Sequence, residues 1–202
     1  MTAALADPLR PAGIHERAVA ATLACIERHG VSKTTLDDIA REAGCSRATL
    51  YRYFGGRSEL VADAVRAEAD RVIAIVRAAA DTTDTLEDAV VAVLLTAGIE
   101  IGEHPALRFV ADFEPEILLP HLTFGGGDRF LAAASAALAP SLERFLLNGA
   151  ERSAEWIARV GLTLWLSSTR PFLLTDHAGV REYVREFVLP AIAPSVPTLP
   201  RR

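Results

Sequence analysis

Two short helical segments separated by only three residues are the feature of this sequence that most restricts its fold. The first segment follows Thr35, a residue suited to accept a backbone N–H bond at a helix start, and ends at Gly44. The second follows Ser46, another favourable N-cap residue, and ends at Phe54, before two consecutive glycines. Two helices joined by so short a turn containing glycine form a helix-turn-helix.

Apolar residues recur with helical spacing through the rest of the chain, and no stretch alternates with period two. The predicted helices span residues 14–29, 58–80, 84–102, 116–139, 141–147, 151–174 and 177–189, with Ser58 and Asp84 as caps and a break near Pro120 and Gly125–Gly127. A further short helix is predicted to begin at Pro105 and to contain Leu107, Phe109 and Val110. The sequence therefore predicts an all-α fold. An N-terminal three-helix helix-turn-helix head is expected in residues 1–57, with a flexible arm in 1–12. A helical body is expected in 58–202, with a flexible tail in 190–202.

Charge is distributed unevenly along the chain. The 202 residues carry a formal net charge of −5, which alone argues against a nucleic-acid partner. Residues 1–57, however, carry 8 Lys and Arg against 6 Asp and Glu, whereas the remainder carries 13 against 20. An acidic body with a mildly basic end is compatible with local contact to DNA.

The outward residues of the second short helix are of the types that DNA-binding helices use. In a helix-turn-helix this helix lies in the major groove. Arg47 can bond O6 and N7 of guanine together, while Ala48 and Thr49 allow close approach and offer methyl groups to thymine. The other predicted DNA-contacting residues are Tyr51, Arg52 and Tyr53, and, at helix N-termini that favour phosphate, Thr34, Thr35, Ser46 and Arg57.

The stretch from Thr34 to Phe54 (TTLDDIAREAGCSRATLYRYF), followed by Arg57 and Leu60, resembles the DNA-binding head of the tetracycline-repressor (TetR) family. The resemblance covers about residues 14–65. It departs from the family at Cys45, where an aliphatic residue is usual, at Arg57, where Lys is usual, and at Gly55-Gly56. The resemblance implies base contacts from Arg47, Ala48 and Thr49, and phosphate contacts from Thr35, Tyr51, Tyr53 and Arg57.

The same resemblance implies a body that binds a small-molecule effector. Apolar helices can line a ligand cavity, and basic groups are scarce at the apolar positions of the body, which favours a neutral, apolar effector. The candidate cavity residues are Leu95, Phe109, Phe113, Phe124, Trp156 and Trp165. The alternative is that these side chains are ordinary core residues.

A homodimer interface is expected on the last two long helices of the body. Its candidate residues are Leu164, Val180, Tyr183, Val184 and Phe187. A two-fold dimer presents two recognition helices to a pseudo-palindromic DNA site. The expected function is that of a transcriptional regulator. The resemblance to the TetR family further implies a repressor that its effector releases from DNA. The alternative for these helices is that they only close the core of the monomer.

Patterns typical of other protein classes are missing from the sequence. No HExxH, glycine-rich phosphate loop or nucleophile elbow occurs, so no catalytic residue, metal or cofactor is predicted. Glu114, Glu116, His104 and His121 are interpreted as solvated side chains. Two rival functions remain: a dimeric sensor that acts through a protein partner without binding an operator, and a small helical enzyme.

The location of the protein is predicted from its apolar runs, its N-terminus and its cysteines. The apolar runs are too short to span a bilayer, and the N-terminus lacks the pattern of a secretory signal. Cys25 and Cys45 stand outside any CxxC or Cys/His cluster and are interpreted as buried, reduced thiols. A cytoplasmic protein is expected.

Overall fold

The computed structural model describes residues 11–167 and 176–193, leaving out the side chains of residues 11, 12, 118, 121 and 124–127. The described residues are α-helical and contain no strand, which confirms the predicted all-α fold. The helices are α1 (Pro11–Lys33), α2 (Leu36–Glu42), α3 (Arg47–Phe54), α4 (Arg57–Asp81), α5 (Leu86–Gly102), α6 (Pro105–Phe113), α7 (Pro115–Leu122), α8 (Phe124–Glu143), α9 (Ala150–Leu166), α10 (His177–Tyr183) and α11 (Leu189–Ile192), with a π-helical segment (Val184–Val188) between the last two.

One compact unit consists of the described residues up to Arg71 together with His104–Leu119. Its main core joins α1, α2, α3 and the start of α4 around three completely buried side chains, Ile39, Leu50 and Leu60. Each of these residues lies on the buried face of its own helix, Ile39 on α2, Leu50 on α3 and Leu60 on α4. The three-helix head is therefore held together by the side chains that its sequence periodicity predicts to be inside.

Helix α6 belongs to the same unit as the head. Its buried residues Ala106 and Val110 form a cluster with Ile26 of α1. The predicted boundary after residue 57 places α6 in the body, whereas in the structure α6 belongs to the same compact unit as the head. The reason is that the apolar face of α6 packs against α1.

The second compact unit consists of Val72–Glu103 and the described residues from Pro120 onward. Its core contains Leu94 of α5, Leu142 of α8 and Ile157 of α9, all fully buried. At one edge, the guanidinium of Arg181 donates to Glu87 (2.6 Å) and to Asp88 (2.8 Å), so that α10 is fastened to the first turn of α5. This unit is a helical body with an apolar interior.

Several helix ends differ from those predicted. Helix α5 is capped by Thr85, whose hydroxyl accepts the N–H of Asp88 (3.1 Å), rather than by Asp84. The break between α7 and α8 falls at Thr123, in extended conformation, rather than at the proline or the glycines on either side of it. Helix α8 continues through Pro140 to Glu143, so the separate helix predicted for residues 141–147 is wrong. The end of the helix predicted over 151–174 lies outside the described residues.

Within the described residues, no single helix has both the length and the hydropathy to cross a membrane, although Leu86–Gly102 and Pro105–Phe113 reach both when taken together. No group of three or more His, Cys, Asp or Glu side chains in the described ranges is placed to hold a metal ion.

Candidate nucleic-acid interface

Helix α2 begins with a reciprocal pair of hydrogen bonds. The hydroxyl of Thr35 accepts the N–H of Asp38 (3.2 Å), and the Asp38 carboxylate accepts the N–H of Thr35 (3.2 Å). This capping box satisfies two donors that have no partner inside the helix. Hydrogen bonds from Thr35 hold the pKa of Asp38 below its usual range, and a further bond from Arg41 acts in the same direction. The predicted start of the helix is confirmed.

The turn between α2 and α3 contains one residue in the left-handed region. Gly44 has φ +64°, a backbone angle that residues with a side chain rarely adopt. The N–H of Cys45 donates to the carbonyl of Ala40 (3.0 Å), and its half-buried side chain packs against the core of the head. Ser46 then caps α3 by accepting the N–H of Thr49 (3.1 Å). The turn therefore keeps its geometry with cysteine in place of an aliphatic residue.

The outward face of α3 carries the residues predicted to meet DNA. Leu50 is completely buried, whereas Arg47, Ala48, Arg52 and Tyr53 are exposed. Tyr51 is also exposed over 64% of its surface, unusual for a large aromatic residue. One face of the helix thus anchors it in the head, and the opposite face is a continuous, accessible surface.

A surface groove brings several of the predicted DNA-contacting residues together. It lies between the starts of α2 and α4 and the outward face of α3. Its lining residues are Ser32, Thr34, Thr35, Leu36, Arg47, Tyr51, Gly56 and Arg57. Residues predicted from three separate stretches of sequence therefore converge on one concave surface.

Two of the predicted phosphate ligands have a different role in the structure. Thr34 is 1% exposed, and its hydroxyl donates to the carbonyl of Gly30 (2.6 Å). The half-buried guanidinium of Arg57 donates to the carbonyls of Thr34 (2.5 Å) and Val31. Thr34 is therefore corrected to an internal residue. Arg57 binds the end of α1, because unpaired carbonyls at a helix C-terminus attract a cation.

Glu114 is a functional candidate that the sequence analysis interpreted as a solvated residue. It is only 8% exposed, and its carboxylate accepts the N–H of Val31 (2.6 Å) and of Ser32 (3.0 Å). Burial raises the pKa of this carboxyl, but hydrogen bonds from Ser32 and Val31 and the charge of Arg57 outweigh it and lower the pKa. In the sequence, Gly30 is the signal that points to such a residue. A glycine there breaks the helix and leaves backbone N–H groups that need an acceptor from elsewhere in the chain.

Comparison with known proteins places this helix pair in a family. Residues 18–64 match the family model described as "Bacterial regulatory proteins, tetR family". The uncharacterized HTH-type transcriptional regulator Rv1255c of Mycobacterium tuberculosis is 33% identical over 162 residues, which cover 79% of this chain and 76% of that protein. The chain belongs to the TetR family.

Two further comparisons extend the TetR assignment. The HTH-type transcriptional regulator BetI of Agrobacterium fabrum is 38% identical over 77 residues, 36% of this chain and 35% of BetI. The crystal structure of the TetR-family repressor AlkX from Dietzia superposes with a TM-score of 0.65 at 20% identity, covering 87% of this chain and 95% of AlkX. The TetR fold therefore continues through the helical body, and the predicted class of DNA-binding, helix-turn-helix transcriptional regulator is confirmed.

Two of the predicted effector-cavity residues of this TetR protein lie on α6, in the first unit. The rings of Phe109 and Phe113 are in tilted contact, with their centroids 4.9 Å apart. Phe109 is half-buried, whereas Phe113 is 70% exposed. Phe113 therefore does not line an enclosed cavity within this unit, and this prediction is corrected. Its ring lies at the end of a helix whose buried face is formed by smaller residues.

The remaining predicted cavity residues lie in the second unit. Leu95 is half-buried and packs against the core, and Trp165 is also half-buried. Trp156 is 43% exposed because it lies on the outward side of α9, which corrects its prediction as a cavity residue within this unit. The side chain of Phe124 lies outside the described part of the chain.

The predicted dimer residues of the TetR body divide into two groups. Val180 and Val184 are buried in the core of the second unit, so their prediction as interface residues is corrected. Leu164 is half-buried against the same core. Tyr183 is half-buried, and its ring makes a tilted contact with that of Phe187 at a centroid distance of 5.1 Å. Phe187 is 50% exposed. Val180 and Val184 of this apolar stripe are therefore covered by the core of the monomer, whereas Phe187 of the same stripe remains exposed.

Proposed function

We propose that this TetR-family protein is a homodimeric repressor that binds a pseudo-palindromic operator through α3. The observation that carries the proposal is the exposure of Arg47, Ala48 and Tyr51 on a helix that is anchored in the head by the buried Leu50. The N-terminal residues of such a helix reach base edges in the major groove. Arg47, Ala48 and Thr49 read bases, while the phosphate contacts come from Thr35, Tyr51, Arg52 and Tyr53.

The dimer is proposed to form through α9 and the segment that follows it in the described chain. Three large apolar side chains there are exposed: Phe187 over 50% of its surface, Trp156 over 43% and Leu166 over 41%. Buried aromatic anchors dominate the energetics of protein interfaces. A two-fold interface on these residues places two copies of α3 at a fixed separation.

The effector is proposed to be a small, neutral, apolar molecule bound by the helical body. The support is the apolar composition of the body and its scarcity of basic groups at apolar positions. Effector binding shifts the dimer towards a state in which the two copies of α3 no longer match successive major grooves. It shifts that balance only by its differential affinity for the two states. Because its partner is chromosomal DNA, the protein acts in the cytoplasm.

Footprinting on the DNA that flanks the protein's own gene tests operator binding. The experiment is run at about 50 mM salt and repeated at about 200 mM, since phosphate contacts make affinity depend on salt. We expect two protected half-sites related by a two-fold axis, with centres about 34 Å apart or a multiple of that distance. A dimer that protects no duplex at the lower salt concentration would contradict operator binding and favour a sensor that acts through a protein partner.

A further inference from the structure

The segment that leads from α1 into α2 is held by hydrogen bonds from outside that segment. Gly30 interrupts the helical geometry of α1 with φ +80° and ψ +171°. The next two N–H groups, of Val31 and Ser32, donate to the carboxylate of Glu114 at 2.6 and 3.0 Å. Glu114 lies 82 residues further along the chain than Ser32 and caps the C-terminus of α6. Its bond to Ser32 therefore joins the segment that precedes α2 to the end of α6.

The carbonyl groups of the same segment are also bound. Arg57 donates to the carbonyls of Val31 and Thr34, and the Thr34 hydroxyl donates to the carbonyl of Gly30. The next residue, Thr35, caps α2. Between the break in α1 and the start of α2, two N–H groups are thus held by Glu114 and two carbonyl groups by Arg57.

The carboxylate lies against the backbone so closely that only glycine fits at the break. A Cβ atom built on Gly30 would lie 2.6 Å from Oε2 of Glu114 and 2.7 Å from a ring carbon of Phe109. Both the positive φ and the lack of space require glycine at this position. Glu114 is therefore part of a closely packed junction and not a surface residue that happens to find a partner.

We propose that Glu114 is a positioning residue for operator binding: by holding Val31 and Ser32 it fixes the start of α2 and, through the short turn, the direction of α3. The inference rests on the proposed operator-binding function. A head whose α2 and α3 are loosely held spends part of its time in arrangements that do not fit the groove. The apparent dissociation constant rises in inverse proportion to the competent fraction, and a dimer requires both heads to be competent together.

The negative charge and the two acceptor oxygens of Glu114 are both needed for this role. Gln has almost the same shape but only one acceptor, and its NH2 group would face one of the two N–H donors. A buried N–H without an acceptor carries a free-energy penalty, so the segment would move to find another partner. Glu116 lies two residues further along and is exposed, which makes Glu116→Gln a matched control.

Operator affinity and amide exchange, measured together on the full chain, test the proposal. Affinity for the footprinted duplex is measured well below the unfolding temperature of each variant. We expect Glu114→Gln to bind at least about tenfold more weakly, because each head of the dimer loses one charge-assisted hydrogen bond, and to keep wild-type helix content. The amides of Val31 and Ser32 should be protected in the wild type and lose protection in Glu114→Gln. Glu116→Gln should match the wild type in both measurements.

Each contrary result has a separate meaning. Wild-type affinity in Glu114→Gln would overturn the positioning role, because a purely structural residue would change stability and leave the affinity of folded protein unaltered. Unprotected Val31 and Ser32 amides in the wild type, with or without bound DNA, would show that Glu114 does not hold these two N–H groups and would overturn the proposal. A wild type that binds no duplex but keeps both amides protected would contradict the proposed function instead. If Glu114→Gln does not fold, Glu114→Asp, which keeps the charge on a shorter side chain, decides by the same measurements: weaker binding supports the role and wild-type affinity overturns it.

Discussion

The guanidinium of Arg47 lies 3.1 Å from the carboxylate of Asp37, so an ion pair joins the two helices of the helix-turn-helix on their exposed side. Both side chains are largely exposed. Asp37 therefore competes with DNA for Arg47 and also adds negative charge near the phosphates. We expect Asp37→Asn to bind random-sequence duplex several-fold more tightly at low salt, with a steeper salt dependence. Fluorescence anisotropy at several salt concentrations measures this, and unchanged or weaker binding would show that Asp37 does not oppose DNA.

The cap of α3 is expected to stabilise the head. Ser46 accepts the N–H of Thr49, and its loss leaves that donor without its partner. We expect Ser46→Ala to lower the free energy of unfolding by about 1 kcal/mol in urea titrations. Ser58→Ala is the control, because α4 begins at Arg57 and does not use Ser58 as its N-cap. Equal effects of the two substitutions would be inconsistent with the cap.

The lowered pKa of Glu114 predicts a specific acid sensitivity. Burial raises this pKa, but the bonds from Ser32 and Val31 and the charge of Arg57 bring it below its ordinary value of 4.5. A carboxyl whose pKa is depressed by folding stabilises the protein above its ordinary pKa and ceases to do so as the pH falls through the lowered value. We therefore expect the wild type to be more stable than Glu114→Gln near pH 7, by about 1–3 kcal/mol.

Urea unfolding at a series of pH values measures that difference. The gap between wild type and Glu114→Gln should close as the pH falls below 4.5. Other carboxyls with lowered pKa values, such as Asp38 and Asp88, are present in both proteins and cancel in the comparison. A gap that stays constant down to about pH 3 would mean that ionisation of Glu114 does not contribute to stability.

The exposed aromatic residue of the π-helical segment tests the dimer. We expect Phe187→Arg to reduce the molecular mass measured by light scattering from that of a dimer towards that of a monomer, because a charge would be buried unpaired in the interface. Val65→Arg is the control, since Val65 is likewise exposed but lies in the first unit. A Phe187→Arg protein that remains dimeric at micromolar concentration would place the interface elsewhere.

Local signals in the sequence were sufficient to predict the head. Thr35 and Ser46 are cap residues at the correct distance from apolar residues, and the burial of Leu50 follows from the spacing of α3. These features depend on neighbours within one or two turns, and this is where sequence periodicity is informative. The choice between Thr34 and Thr35 was harder, because only the backbone conformation after Gly30 turns one hydroxyl inward and the other outward.

Contacts between distant parts of the chain were not predictable in the same way. The partners of Glu114 precede it by more than 80 residues, and nothing in its immediate sequence indicates that it is buried. Similarly, the stripe containing Val180, Val184 and Phe187 shows that one side of the last helices is apolar. It does not show which residues the monomer's own core covers and which remain for a second copy. That division depends on how α5, α8 and α9 pack.

The affinity of an Arg47→Ala variant for the footprinted operator, compared with a scrambled duplex of the same length, tests the central claim most directly. Arg77→Ala, which removes an equal charge from an exposed residue of α4, is the control. We expect Arg47→Ala to lose about tenfold or more of its discrimination between operator and scrambled DNA, and Arg77→Ala to lose none. Full discrimination by Arg47→Ala would contradict the account, because the first residue of α3 would then not read the operator.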